Sequence, residues 1–184
     1  MTAAGSEGTA GRDDFELFGL PRRFALDAAD LDERRRRLLA EVHPDRHAAG
    51  GAPTARRATE RAMDVNEAWR RLRDPQKRAT RLLELNGVAV DGFGRAGMPA
   101  RFLADQMGWR DTLETTRTRA GIADVQRRAA AERAAALQRL EEHLDASRWN
   151  DAADEVRALP FHDRFAAEVT DRLAALPPDT GFPA

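Results

Sequence analysis

A proline at position 44 separates two long segments in which apolar residues recur at helical spacing. Proline lacks an N–H donor and disfavours helical backbone in the residue before it, so the first predicted helix, 28–42, ends there. Residues 43–54 contain a Gly-Gly-Ala-Pro tip and predict a loop. The second helix, 55–73, carries apolar residues at steps of three and four, which is typical of one buried face. The pattern therefore predicts a helical hairpin.

The remaining apolar residues also follow the helical period. Five more helices are predicted, at residues 13–20, 77–85, 99–119, 122–146 and 151–176. The last of them contains Pro160, which can kink it. The β-branched residues are scattered and tyrosine is absent, which leaves no strand signal. The sequence therefore predicts an all-α fold.

Residues 86–98 contain three further glycines after Gly87 and predict a linker between two domains. The charge also changes across this stretch: residues 12–81 hold 17 basic and 13 acidic side chains, whereas residues 82–184 hold 13 basic and 17 acidic. The predicted organisation is a disordered leader at 1–12, an N-terminal helical domain at 13–85, the linker at 86–98, a C-terminal three-helix bundle at 99–177 and a disordered tail at 178–184.

The composition argues against several function classes. With no cysteine, the chain has no disulfide, no thiol nucleophile and no Cys-based metal site. Its 30 basic and 31 acidic residues do not make a polycation built for nucleic acid. It has no apolar run of membrane-spanning length and no secretory signal at its start. We expect a soluble, cytoplasmic protein that is not an enzyme and holds no metal or cofactor, because no phosphate loop, catalytic triad or ligand set is present.

His43, Pro44 and Asp45 stand at the bend of the predicted hairpin. Alone, this tripeptide is also compatible with an ordinary turn, since Pro followed by Asp is common turn chemistry. The proline nevertheless holds the imidazole and the carboxylate at a fixed bend between two helices, which makes them a rigid recognition feature. Neither has a nucleophile or a metal-ligand set nearby in sequence. Four consecutive arginines, 34–37, surround one turn of the preceding helix, so some of them face solvent.

Two sequence blocks flank this motif: DFELFGL at 14–20 and NEAWRRLRDPQKRA at 66–79. Together these residues resemble the J domain of DnaJ-type co-chaperones. The resemblance implies that the loop and the basic face of the preceding helix engage a DnaK-type chaperone and stimulate its ATP hydrolysis. The chaperone-binding residues that it implies are His43, Pro44, Asp45, Arg34, Arg35, Arg36, Arg37 and Arg46. One of them departs from the family, because Arg35 stands where J domains usually carry an aromatic residue.

Blocks at 81–87, 102–114 and 149–157, followed by Phe161, extend the resemblance into the C-terminal half. Over residues 13–176 the chain resembles HscB, the J-type co-chaperone family of iron–sulfur cluster biogenesis. The resemblance implies a roughly L-shaped molecule whose C-terminal bundle binds the scaffold protein IscU and whose J domain brings it to an HscA- or DnaK-type ATPase for cluster transfer. We expect a monomer. The scaffold-binding positions that the resemblance implies are Leu103, Ala104, Met107, Gly108, Asp111, Thr115 and Phe161.

The helix predicted at 99–119 has two faces with apolar residues. The first predicts the packing face and consists of Phe102, Gln106, Trp109 and Leu113. The second consists of Leu103, Met107, Asp111 and Glu114. From spacing alone, the second face is either a partner site or a wider part of the packing face. Phe161 is likewise either a core residue or a partner contact.

Two other functions stay open. Ala104 and Gly108 replace a larger apolar group and an acid that the family resemblance leads us to expect, so the chain could be a J-domain adaptor for a different client. The second alternative is an Arg-rich helical protein that binds nucleic acid through Arg34 to Arg37. The net charge of −1 and the lack of a recognition helix with base-reading residues argue against it.

Overall fold

The computed structural model describes residues 13–42, 51–90 and 100–177. The predicted leader and tail, the motif residues His43 to Arg46 and most of the predicted linker lie outside these ranges. The described residues contain helices and no strand, so the predicted all-α class is confirmed. The seven helices are α1 (Asp14–Phe18), α2 (Ala28–Glu41), α3 (Gly51–Arg73), α4 (Pro75–Leu85), α5 (Ala100–Thr115), α6 (Arg119–Asp145) and α7 (Trp149–Ala175).

The chain divides into two compact units, Met1–Leu82 and Leu83–Ala184. In the first unit, α2 and α3 pack against each other and α1 packs against both. Asp27 begins α2 by accepting the N–H of Ala29 on its side chain at 2.7 Å, as an N-cap residue does. The core of this unit consists of buried apolar side chains, which are Phe15, Phe18, Phe24, Leu31, Ala58, Val65, Ala68 and Leu72.

The start of α3 differs from the prediction. We expected a loop as far as residue 54, but the helix already begins at Gly51. Pro53 is the reason for the difference, because a proline is typical of a loop but lies here in the first turn of the helix. A proline in the first turn of a helix costs nothing, since the first N–H groups have no partner inside the helix. Gly51 itself has a φ of 76°, in the left-handed region that favours glycine.

In the second unit, α6 and α7 form a long antiparallel pair, and α5 packs onto it. Small side chains on the facing sides, including Ala129, Ala136 and Ala152, are buried and allow the pair to approach closely. The cluster that α5 shares with the pair consists of Leu113, Ile122, Val125, Ala129, Phe165 and Val169, with Trp109, Leu173 and Leu176 packed against it. The limits of the domains that the sequence predicts, 13–85 and 99–177, stay a prediction.

The break between α5 and α6 also differs from the prediction. We placed it at Gly121, but α5 ends at Thr115 and α6 begins at Arg119. Thr118 causes this, because its Oγ1 accepts the N–H of Gly121 at 3.1 Å and so caps α6. Gly121 therefore lies in the first turn of α6. Threonine hydroxyls close the end of α5 by donating to backbone carbonyls, as Thr115 does to Asp111 at 2.8 Å.

The helix α7 begins at Trp149, two residues earlier than predicted. Ser147, with a φ of 55°, separates it from α6. Pro160 lies inside α7 and does not end it. The proline has no N–H to donate, so one carbonyl of the preceding turn lacks its usual helical partner. Arg164 uses the carbonyl of Pro160 itself, to which its Nε donates at 3.1 Å.

Candidate functional site

Arg34, the first of the four arginines on α2, is used inside the first unit. Its Nη1 donates to the carbonyls of Phe18 and Gly19 at 3.1 and 3.0 Å, where α1 ends. Its Nε donates to Asp30 at 2.9 Å, one turn earlier on α2. Carbonyls at the end of a helix have no partner within it, and a cation there also suits the helix dipole. Arg34 therefore fixes α1 to α2, and its charge is paired with Asp30.

Arg35 also points toward the hairpin. Its Nε and Nη2 both donate to Asn66 Oδ1 on α3, at 3.0 and 2.7 Å. Its guanidinium lies 4.2 Å from the centre of the Trp69 ring, a cation–π distance. The side chain is half-buried as a result. Arg35 thus occupies the contact between α2 and α3.

Arg36 and Arg37 are the two arginines of the set that face solvent. Their side chains are 71% and 62% exposed. Arg36 donates to Glu33 at 2.5 Å, and Arg37 lies 3.9 Å from the same carboxylate. The hydrogen bond from Arg36 holds the pKa of Glu33 below its ordinary value. One carboxylate shared by two exposed guanidiniums leaves this turn of α2 positively charged.

A polar cluster between α2 and α3 was missed by the sequence analysis. Trp69 Nε1 donates to Asp32 Oδ1 at 2.8 Å, and Arg73 Nη1 donates to Asp32 Oδ2 at 2.6 Å. The indole hydrogen bond, and then Arg73, lower the pKa of Asp32. A signal was available, because Asp32 and Arg35 are three apart and Trp69 and Arg73 are four apart, the spacings that share a helix face. The cluster ties the two helices that lead into and out of the motif loop.

The inner face of α5 agrees with the prediction. Leu113 is buried, and Trp109 packs on Phe165 with ring centres 5.7 Å apart. Phe102 meets Phe161 edge to face at 5.7 Å. The predicted packing face, on which Gln106 is half-buried, is therefore confirmed.

The outer face of α5 is defined here by Leu103, Ala104, Met107, Gly108, Asp111 and Thr115. Leu103 is half-buried and the others are exposed. Met107 is 68% exposed, so it does not widen the packing face. A side chain built on Gly108 would meet no atom within 4 Å. The structure thus leaves an apolar strip, next to the carboxylate of Asp111, without a partner inside the described chain.

Phe161 lies at the boundary between core and surface. Its ring is half-buried against Phe102, and the guanidinium of Arg164 lies 4.7 Å from its centre on α7. One side of the ring packs in the bundle, which supports the core reading, and the partner contact stays a prediction.

His162 is a buried titratable group beside these rings. Its ring lies 5.6 Å from that of Phe102, and its Nε2 has no hydrogen-bond partner among the described residues. It lines a cavity of about 10 Å³ together with Gln106 and Glu132. Burial lowers the pKa of His162, against the opposing effect of Glu132 and Glu155. Burial therefore favours the neutral form of the imidazole.

The described residues contain no group of three or more His, Asp or Glu side chains that could hold a metal ion. In the same parts of the chain, no helix is both long and apolar enough to cross a bilayer.

The sequence is similar to co-chaperones over most of its length. The family described as the HSCB C-terminal oligomerisation domain matches residues 98–170. A protein of Burkholderia multivorans named Co-chaperone protein HscB homolog is 41% identical over 165 residues, and the match covers 88% of this chain and 94% of that protein. A Burkholderia mallei protein of the same name is 42% identical over 168 residues, with the same coverage.

The fold is similar to solved structures. The chaperone HscB from Vibrio cholerae has a TM-score of 0.75 at 32% identity, and the match covers 87% of this chain and 96% of that one. The human co-chaperone protein HscB has a TM-score of 0.82 at 20% identity, covering 91% of this chain and 85% of that one, which is a likeness of fold alone.

Proposed function

Because this chain belongs to the HscB family of co-chaperones, we propose that it binds an IscU-type iron–sulfur scaffold protein and delivers it to an HscA- or DnaK-type chaperone, whose ATPase it stimulates to promote cluster transfer. The observation that carries the proposal is the similarity to HscB co-chaperones along 88% of the chain. That coverage includes both the hairpin and the bundle. The chain therefore has one candidate surface for the chaperone and another for the scaffold.

The outer face of α5 is the proposed scaffold site. It places the thioether of Met107 and the carboxylate of Asp111 one helical turn apart, next to half-buried Leu103. A flexible, polarisable side chain such as methionine suits a contact surface because it can adapt to its partner. Gly108 and Thr115 lack the acids that the family resemblance leads us to expect, so apolar contact carries more of the binding here than charge attraction.

The proposed chaperone site consists of the loop residues His43, Pro44, Asp45 and Arg46 together with Arg36 and Arg37. Exposed guanidiniums raise the rate of encounter with an acidic surface more than they raise affinity. Arg34 and Arg35 take part indirectly, since their hydrogen bonds join α2 to α1 and α3. We propose that they position the helix on which the exposed pair stands.

The first test is ATP hydrolysis by the organism's own DnaK- or HscA-type chaperone, measured with this protein, with the scaffold and with both. We expect synergistic stimulation when both are present. His43→Gln should abolish the stimulation while leaving the circular dichroism spectrum unchanged. Stimulation that does not respond to the scaffold would keep the chaperone role and favour the alternative of a different client.

A second test separates charge at the proposed chaperone site from charge elsewhere. Arg36→Ala combined with Arg37→Ala should lower the stimulation and weaken its dependence on salt. Arg127→Ala combined with Arg128→Ala is the matched control, because these two arginines of α6 are 71% and 67% exposed and share the carboxylate of Asp124, as Arg36 and Arg37 share that of Glu33. Equal losses in the two double variants would argue against a specific role for α2.

A third test addresses the scaffold site by calorimetric titration with the purified scaffold. Met107→Asp should weaken binding about tenfold or more, since a buried apolar anchor typically contributes at least 1.4 kcal/mol. Met63→Asp changes an equally exposed methionine on α3 and is the control. If both variants bind the scaffold like the parent protein, the outer face of α5 is not the site.

A further inference from the structure

The two large apolar side chains that the described structure exposes are both methionines. Met63 on α3 is 66% exposed, and Met107 on α5 is 68% exposed. The sequence contains no cysteine, so no thiol of this chain competes for an oxidant. Methionine thioethers are then the side chains that a peroxide oxidises first.

The surroundings of Met107 leave its sulfur open to a small oxidant. The residue that follows it, Gly108, has no side chain, and the space there is empty to 4 Å. Ala104, one turn earlier, is exposed and small. The Met107 side chain is 68% exposed, in contrast to the packed aromatic residues on the opposite face of α5.

We propose that Met107 is a reversible oxidation site that switches off binding at the outer face of α5. The thioether sulfur attacks one oxygen of a hydroperoxide such as hydrogen peroxide. The S–O bond forms as the O–O bond breaks, the sulfur loses two electrons, and the departing hydroxide of hydrogen peroxide takes the proton of the transferred hydroxyl and leaves as water. The product is methionine sulfoxide, which methionine sulfoxide reductases convert back to the thioether.

The switch rests on the proposed function, because Met107 must lie in the scaffold contact for its oxidation to matter. Oxidation turns a flexible apolar side chain into a polar one with a strong oxygen acceptor. Burial of that oxygen against an apolar partner carries a desolvation cost unless a donor meets it. We expect the scaffold to bind the oxidised protein at least about tenfold more weakly, a loss on the order of one apolar anchor.

Linkage adds a second consequence. If oxidation of Met107 weakens scaffold binding, then bound scaffold must disfavour oxidation of Met107 by the same factor at equilibrium, and a covered sulfur also reacts more slowly. Met63 lies outside the proposed contact and should react at the same rate with or without scaffold. The two equally exposed methionines therefore form an internal comparison within one protein.

The experiment uses the full chain treated with hydrogen peroxide. Peptide mass spectrometry follows the sulfoxide at Met107 and at Met63 with and without scaffold, and calorimetric titration gives the scaffold Kd before treatment, after treatment and after incubation with methionine sulfoxide reductases. We expect treatment to raise the Kd about tenfold or more, and the reductases to restore it. In Met107→Leu, treated and untreated protein should have the same Kd, whatever that value is, whereas Met63→Leu should respond as the parent does.

Three results would overturn the proposal. The first is full sulfoxide formation at Met107 with an unchanged Kd, and the second is an equal rise of the Kd in treated Met107→Leu. The third is that scaffold fails to bind the untreated protein at all, which removes the proposed scaffold function together with the switch. The first two leave that function standing, so the two failures are distinguishable.

Discussion

The ion pair between Asp14 and Arg71 offers the sharpest test of what holds the first unit together. Asp14 stands in the first turn of α1, and its side chain is only 3% exposed. Arg71 on α3 donates to both of its oxygens, from Nε at 2.7 Å and from Nη2 at 2.8 Å. The hydrogen bond to Asp14 also raises the pKa of Arg71. We predict that Arg71→Gln is strongly destabilising, because it leaves a buried carboxylate without its two donors.

The magnitude follows from the exposure of the two partners. Breaking a buried pair by removing one partner costs roughly 3–5 kcal/mol. The Arg71 side chain is 38% exposed, so water screens its end of the pair, and we take about 2–3 kcal/mol instead. With a urea m-value of roughly 1.5 kcal/mol per molar, the unfolding midpoint should fall by about 1.3–2 M.

The measurement is urea unfolding followed by circular dichroism, with hydrogen exchange to localise the loss to the helices of the first unit. Arg70→Gln is the matched control, because Arg70 precedes Arg71 on α3, is exposed and has no ion pair among the described residues. The control should change stability by less than about 0.5 kcal/mol. If the two variants lose the same stability, the reasoning about the buried carboxylate is refuted.

Three further predictions concern other parts of the chain. Burial lowers the pKa of His162 below 6.5, so protonation favours the unfolded chain and stability should fall as the pH drops below about 6.5. His162→Gln should remove that loss of stability, which is measured by comparing urea midpoints at about pH 7.5 and about pH 5.5. Gly108→Ala should stabilise the protein by about 0.5–1 kcal/mol, because the added Cβ meets open space. Gly121→Ala should instead cost about 1 kcal/mol, because its Cβ would lie 2.7 Å from a threonine methyl carbon. In thermal unfolding, the Tm should therefore rise in the first variant and fall in the second. Trp69→Phe removes the N–H that Asp32 accepts, so the pKa of Asp32 should rise toward 3.8 in an NMR titration. A carboxylate with a lowered pKa stabilises the fold at neutral pH and loses this contribution as the pH falls through that pKa. The stability of the variant should therefore depend less on pH in acid.

The order and type of the helices could be predicted from the sequence, because the spacing of apolar residues and the helix-breaking residues both act locally. The helix α2 ends at Glu41, before Pro44 in the sequence, and the pair Asp74-Pro75 lies where α3 ends and α4 begins. The errors in helix boundaries came from capping. Thr118 supplies a side-chain acceptor to α6 and so overrides the break that Gly121 suggested, and Pro53 joins the first turn of α3. A threonine or a proline can stand either in a loop or in a helix cap. Its identity alone does not tell the two apart, because the role depends on where the side chain points.

The candidate site could be predicted only in part. The two faces of α5 follow from spacing, but the role of the second face depends on how many neighbours the helix has. Only one side of α5 meets the pair of α6 and α7, and Met107 lies away from it. The buried Nε2 of His162 has no sequence signal, because a single histidine on an apolar face gives no indication of its partners.

Arg35 shows how a residue that departs from the usual pattern of its family can still fill a packing role. J domains usually carry an aromatic residue at this position, and the sequence analysis therefore treated Arg35 as a changed chaperone surface. In the structure the planar guanidinium lies 4.2 Å from the Trp69 ring centre and uses its remaining donors on Asn66. A flat group that stacks on an indole fills the kind of space an aromatic ring fills, which a lysine ammonium cannot do. In this chain the guanidinium of Arg35 thus packs between α2 and α3, and the exposed positive charge on this turn is carried by Arg36 and Arg37.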